Sequence, residues 1–261
     1  MSTRVAAELV AQQGEVRVRG RGAGCAAVLL MLLAGCGNGG DGGSGQRGEG
    51  GSKQSSASGV DGTADPAKVF TGAELGAALL PAEDVGKGAK ALEVYLGLFD
   101  QGSGGGDWST CVAGRDAHGE LWRMRGASAE RTFRPDPAAV GEDDPFVYER
   151  LVSMPAGRAG RYLELRRELH EACGRVTVDT DGAPVEEHHE VRPLPDLGDE
   201  AVLETTRTTG GDEYDGSAHY VVELRVGGVL VIVGAGTDMD LTLSSAAEAA
   251  RRVGKDLYGV S

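Results

Sequence analysis

The side chains able to do chemistry are scattered along the chain. His188 and His189 resemble a ligand pair. Neighbours in a strand point to opposite faces, however, so the two cannot readily chelate one ion. His170-Glu171 lacks the second His of a zinc-protease motif. Asp179 with Asp181, Asp238 with Asp240, and Asp212-Glu213 with Asp215 offer oxygen ligands. None has EF-hand spacing, and solvated turn acids are the expected reading. Gly234-Ala235-Gly236 begins like a dinucleotide fingerprint, but Met239 stands where the third Gly belongs and no βαβ unit follows. There is no G-x-S-x-G and no outstanding serine nucleophile. Trp108 and Trp122 could line a pocket, with core packing the better expectation for at least one. The reading is no catalytic residue, no metal and no cofactor, with the ligand-binding residues unassigned.

Cysteine chemistry is more specific. Arg17, Arg19 and Arg21 precede an apolar run, residues 26–33, that is too short to span a bilayer comfortably and suits a signal peptide. Leu33-Ala34-Gly35-Cys36 follows, and resembles the lipobox of bacterial lipoproteins. The resemblance implies cleavage before Cys36 and a diacylglyceryl thioether on its sulfur, which would hold the protein on the outer face of the cytoplasmic membrane. Glu8 and Glu15 are out of place in an n-region, so Val16 or Val18 is an alternative initiator. Cys25 would be discarded with residues 1–35. Cys111 and Cys173 then remain in an oxidising compartment, and a disulfide is the economical reading. It would close a loop of about 60 residues and stabilise by ~4 kcal/mol in the chain-entropy model. The alternative is a metal or redox role, against which stand the lack of a CxxC and only His170 near Cys173.

Residues 36–69 read as a tether. Between Gly37 and Gly62 there are 11 Gly and 5 Ser in 26 residues with no aromatic, too little apolar surface to offset ordering entropy. Such a chain spans roughly 25–30 Å. Residues 36–261 carry 22 Lys and Arg against 38 Asp and Glu. That balance disfavours nucleic acid and anionic headgroups as partners.

Residues 70–261 must supply the elements. Thr71 and Glu74 form a capping box, with Phe70 and Leu75 as its staple, for a helix over 72–80 that Pro81 stops. Lys90 to Phe99 reads as a strand with Leu92, Val94, Leu96 and Leu98 on one face. Gly102–Gly106 is a loop. Residues 114–145 read as a surface excursion with weak alternation over 121–125. Phe146 to Met154 is a strand. Pro155 leads to a helix ending at Ala172, with Tyr162, Leu165, Leu169 and Cys173 on one stripe and Gly174 as its cap. Strands follow at 176–178, 187–191 and 201–207.

The clearest element is a hairpin, 219–226 and 229–233, turning on Gly227-Gly228 with positive φ accepted at both. Its register pairs Val226 with Val229, Leu224 with Val231 and Val222 with Val233, and leaves Glu223 and Arg225 on the other face of a half-covered sheet. A last helix opens at Ser245 with Glu248 completing a capping box, and presents Ala246, Ala249, Val253 and Leu257 to the sheet. The class is α+β, an antiparallel sheet with flanking N- and C-terminal helices.

This order resembles the actinobacterial sensor-domain lipoproteins, related to the extracellular domain of PknH-type serine/threonine kinases. The carrying pieces are Leu79-Leu80-Pro81 with Asp84-Val85-Gly86, the strand leading to a helix that closes on Cys173, residues 194–201, the Val221–Val233 hairpin and the Ala-rich terminal helix. The resemblance implies an antiparallel sheet, a ligand cleft and no catalysis. The chain departs from the kinase-linked form in allowing one disulfide rather than two. The expected function is a lipid-anchored, extracytoplasmic, non-enzymatic domain for a small molecule, glycan or protein. The alternative is a cell-envelope hydrolase with an acidic site. Two close carboxylates of shifted pKa in a cleft would favour the hydrolase, and an apolar cleft with few polar groups the binder.

Overall fold

In a computed structural model that describes residues 64–99, 108–136, 146–178, 184–210 and 216–260, the glycine hairpin forms in the predicted register. Its strands are Ala218–Val226 and Val229–Gly234, and they lie near the middle of an eight-stranded sheet. In chain order the strands are β1 (Lys90–Leu98), β2 (Ala127–Arg134), β3 (Val147–Ser153), β4 (Arg175–Val178), β5 (Val185–Pro193), β6 (Glu200–Thr209), β7 and β8. The spatial order is β1-β2-β3-β8-β7-β6-β5-β4. Every pairing is antiparallel. The helices are α1 (Gly72–Ala78), α2 (Ala82–Val85), α3 (Arg115–Trp122), α4 (Ala156–Ala172) and α5 (Met239–Arg252), continued as a π-helix over Val253–Tyr258. None of these helices is long and apolar enough to cross a membrane.

Only one of the two hairpin glycines has positive φ. Gly227 is at 58°, while Gly228 is required for a close approach: a Cβ there would lie 2.2 Å from the Met154 carbonyl oxygen. The sheet is also covered on both faces rather than one. Val222, Leu224, Val231 and Val233 pack with α1 and α5, and the opposite face, with Val202, Leu230 and Ile232, packs under α4. Glu223, expected to face water, is 4% exposed. The run Val229–Val233, apolar at every position, already fits a strand buried on both sides.

Other expectations are corrected. Residues 114–136 are not a surface excursion but α3 and the interior strand β2. Polar side chains on β2 hid it: Glu130 pairs with Arg150, and Arg131 reaches the Leu80 carbonyl. β1 is a strand as predicted but an edge one, and Leu92, Leu96 and Leu98 stay exposed. The last helix opens at Asp238, whose carboxylate accepts from Leu241 N, so Ser245 is an interior buried residue rather than a cap. Ala246, Ala249, Val253 and Leu257 are buried as predicted. The first capping box forms, and α4 keeps its stripe with Cys173 in the capping position.

The last residues of the expected tether touch the domain: Pro66 accepts from Ala156 N and Lys68 Nζ donates to the Leu257 carbonyl. Cys36, the segments 1–35 and 36–63, Gly102–Gly106, residues 137–145, and Asp179, Asp181, Asp212, Glu213 and Asp215 lie outside the described residues.

Candidate functional site: a cavity floored by a buried ion network

The stripe that buries α4 is not wholly apolar. Tyr162, Arg166 and His170 recur every four residues beside Leu165 and Leu169, so all face the sheet. Beneath them, period-two alternation presents Tyr148 and Arg150 from β3, Glu223 from β7, Glu204 and Thr206 from β6, and His189 from β5.

Arg166 and Glu204 form a two-armed pair. Nε donates to Glu204 Oε1 at 2.7 Å and Nη2 to Oε2. The guanidinium also lies 3.3 Å from Glu223 Oε2. Tyr162 donates to Glu223 Oε1 at 2.9 Å, and His170 Nε2 sits 3.0 Å from Glu204 Oε1. Burial opposes the charge on Glu204, but the Arg166 guanidinium and His170 outweigh it and hold this carboxyl well below the usual range. For Glu223 burial wins. With the Glu204 charge adding to it against the pull of Arg166, its carboxyl is pushed well above the usual range. One guanidinium thus shares two acids unequally, favouring the charged form of Glu204 and the neutral form of Glu223. Burial and the two acids also raise the Tyr148 phenol.

Trp108, carried on a single 3-10 turn (Trp108–Thr110), covers the inner end. Its ring lies 4.2 Å from that of His189, 5.0 Å from that of His170, and 5.9 Å from the Arg166 guanidinium carbon. The Cys111–Cys173 disulfide (Cα–Cα 6.0 Å) holds that turn to the end of α4. Arg161 on α4 grips Glu120 on α3 with two hydrogen bonds. Between α4 and the sheet, and running toward β1–β3, a cavity of about 360 Å³ opens. Phe99, Trp108, Phe146, Tyr148 and Tyr162 supply its aromatic walls, and Arg166, Glu204 and Glu223 its floor. Glu130 and Arg150 line its outer part and bond each other at 2.6 Å.

The sequence candidates fall as follows. Trp108 is in the cavity wall, whereas Trp122 is half-exposed and packs edge-on to His118. His188 and His189 point to opposite faces. His189 lines the cavity and is held by Glu187 and Thr206, and His188 contacts Glu186. His170, weighed only as a fragment of a zinc motif, belongs to the ion network. Among the described residues no group of three or more His, Cys, Asp and Glu could hold a metal. Asp238 caps α5 and Asp240 is exposed. Sequence reasoning missed Arg166, Glu204 and Glu223. The available signal was Arg166 interrupting an apolar stripe, with Glu223 interrupting Val221-Val222 and Leu224.

No protein-family model matches the chain, and no curated protein does. Among solved structures it is similar to the extracellular domain of PknH from Mycobacterium tuberculosis, with a TM-score of 0.50 and 14% identity, covering 72% of this chain and 98% of that one. The likeness agrees with the expected sensor-domain-like fold, and at this identity it bears on the fold alone.

Proposed function

We propose that this chain is an extracytoplasmic lipoprotein whose α+β domain binds a ligand beneath α4 without transforming it. The observation carrying the reading is the cavity itself: its volume lies within the range of ligand sites, its walls are aromatic, and a few polar groups converge on its floor. The PknH likeness supports the sensor-domain-like fold on which the reading is built. The lipobox ending at Cys36 supports lipid anchoring, with Gly37–Gly62 as spacer. Acidity disfavours a nucleic-acid partner.

The hydrolase reading has one observation in its favour, two close acids of opposite pKa shift. Their bonding speaks against it. Both Glu204 oxygens are engaged by Arg166, and Glu223 is tied to Tyr162 and faces Arg166, so neither acid is poised to serve a substrate. The test is native mass spectrometry of the full chain isolated from its own envelope. A co-purifying ligand recovered unchanged is the expected result. Recovery of a cleaved product, with turnover abolished by Glu223→Gln, would overturn it.

A further inference from the structure

The cavity does not end at Arg150 and Glu130. A second depression of about 180 Å³ shares those two residues and Phe99 with it, and runs onto β1. Its floor is made by Gly97 and Ser128, which are register partners on β1 and β2. A Cβ at Gly97 would meet nothing within 4 Å, so open space stands above it. Tyr95, 63% exposed, stands two residues before Gly97 and Phe99 two after, on the same face. The result is a notch with an aromatic on either side, adjoining the aromatic cavity.

Taking the cavity as the binding site, we propose that its ligand is an uncharged oligosaccharide, with a terminal ring beneath α4 and the next ring in the Tyr95–Phe99 notch. Two hollows that adjoin at Phe99, Glu130 and Arg150 suit a ligand longer than either. The charges call for a neutral one: Arg166 is matched by Glu204 and Arg150 by Glu130, so an anion would have to break an existing pair, and Glu223, the third acid, is already bonded by Tyr162 and faces Arg166. Hydroxyl groups need break nothing, since a carboxylate accepts about four hydrogen bonds and these pairs use only some of them. Flat aromatic walls suit the apolar faces of pyranose rings. An acyl chain would lay hydrocarbon against a charged floor and desolvate its ion pairs.

The test uses the full chain carrying Trp122→Phe, which leaves Trp108 as the only tryptophan and its fluorescence as a reporter of the cavity. Cellotetraose, maltotetraose, mannotetraose and chitotetraose are titrated, with glucose, mannose and N-acetylglucosamine as single-ring probes. At least one tetrasaccharide is expected to give a saturable change. Tyr95→Ala should weaken it about tenfold and leave the matching single-ring probe unaffected. A Trp108 response to none of the sugars up to roughly 10 mM overturns the ligand class. If octanoate or phenyl phosphate then responds, the cavity remains a binding site for another class. If neither responds and native mass spectrometry finds no co-purifying molecule, the cavity reading falls as well. Equal loss of tetrasaccharide and single-ring binding in Tyr95→Ala would overturn the placement in the notch.

Discussion

Arg166→Met removes the cation that makes the buried acids tolerable. Arg166 and Glu204 are about 5% and 6% exposed at the side chain and share two hydrogen bonds, so water from the cavity replaces the lost partner only in part. Breaking such a pair from one side costs about 3–5 kcal/mol. For a domain of this size that corresponds to a Tm drop of roughly 6–20 °C. Much of the cost is the carboxylate left behind, not the value of the pair. Glu204→Gln in the same chain should therefore restore about 2 kcal/mol or more, although it removes a further native contact. Urea melts of the wild type, both single variants and the double variant give the coupling energy. Near-UV circular dichroism checks that each variant keeps its packing. A single Arg166→Met loss below about 1 kcal/mol, or a double variant that loses the full sum of the singles, would show that the ion network is not the buried node described above.

Burial pushes Glu149 up to about 7 against the pull of its Leu80 N–H bond, Arg131 and Arg252. Its folded pKa exceeds its unfolded one, so the associated stability is complete below pH 4.5 and is lost as pH rises through 7. From pH 6 to pH 8 it costs roughly 1 kcal/mol, which Glu149→Gln should remove from the pH slope of Tm; an unchanged slope contradicts this. Glu223 shifts in the same direction, and Glu223→Gln should flatten the slope further. Gly228→Ala should destabilise by about 1–3 kcal/mol in urea melts, because the added methyl meets the Met154 carbonyl; a neutral result would refute the close approach. Cys111→Ser with Cys173→Ser should cost about 2–4 kcal/mol and loosen the Trp108 turn, visible as a red-shifted Trp108 emission in the Trp122→Phe background. Cys36→Ser should abolish labelling by a lipid probe while leaving the domain folded, and persistent labelling would contradict the anchor.

Local rules carry the hairpin and the flanking helices. Alternating Val and Leu around two glycines leaves one register that buries them, which is why Val226–Val229, Leu224–Val231 and Val222–Val233 are legible without coordinates. The Thr71–Glu74 box is legible because it is complete within four residues. β2 and α3 were not, because their polar side chains find partners far along the chain: Glu130 meets Arg150 and Glu120 meets Arg161. Compartment and elimination were enough to pair Cys111 with Cys173, though not to show that the bond steadies Trp108.

The candidate site belongs to tertiary structure almost entirely. Arg166, Glu204 and Glu223 sit on a helix and two strands, separated by 38 residues between the first two. No periodicity links them. The sequence by itself could place each on a face, by a period of four on α4 and of two on β6 and β7. What those faces meet was decided only when α4 crossed from β3 to the far edge of the sheet and covered a surface that alternation alone assigns to water. A charged residue on a covered face must find its partner there, and that need turns three scattered residues into one network.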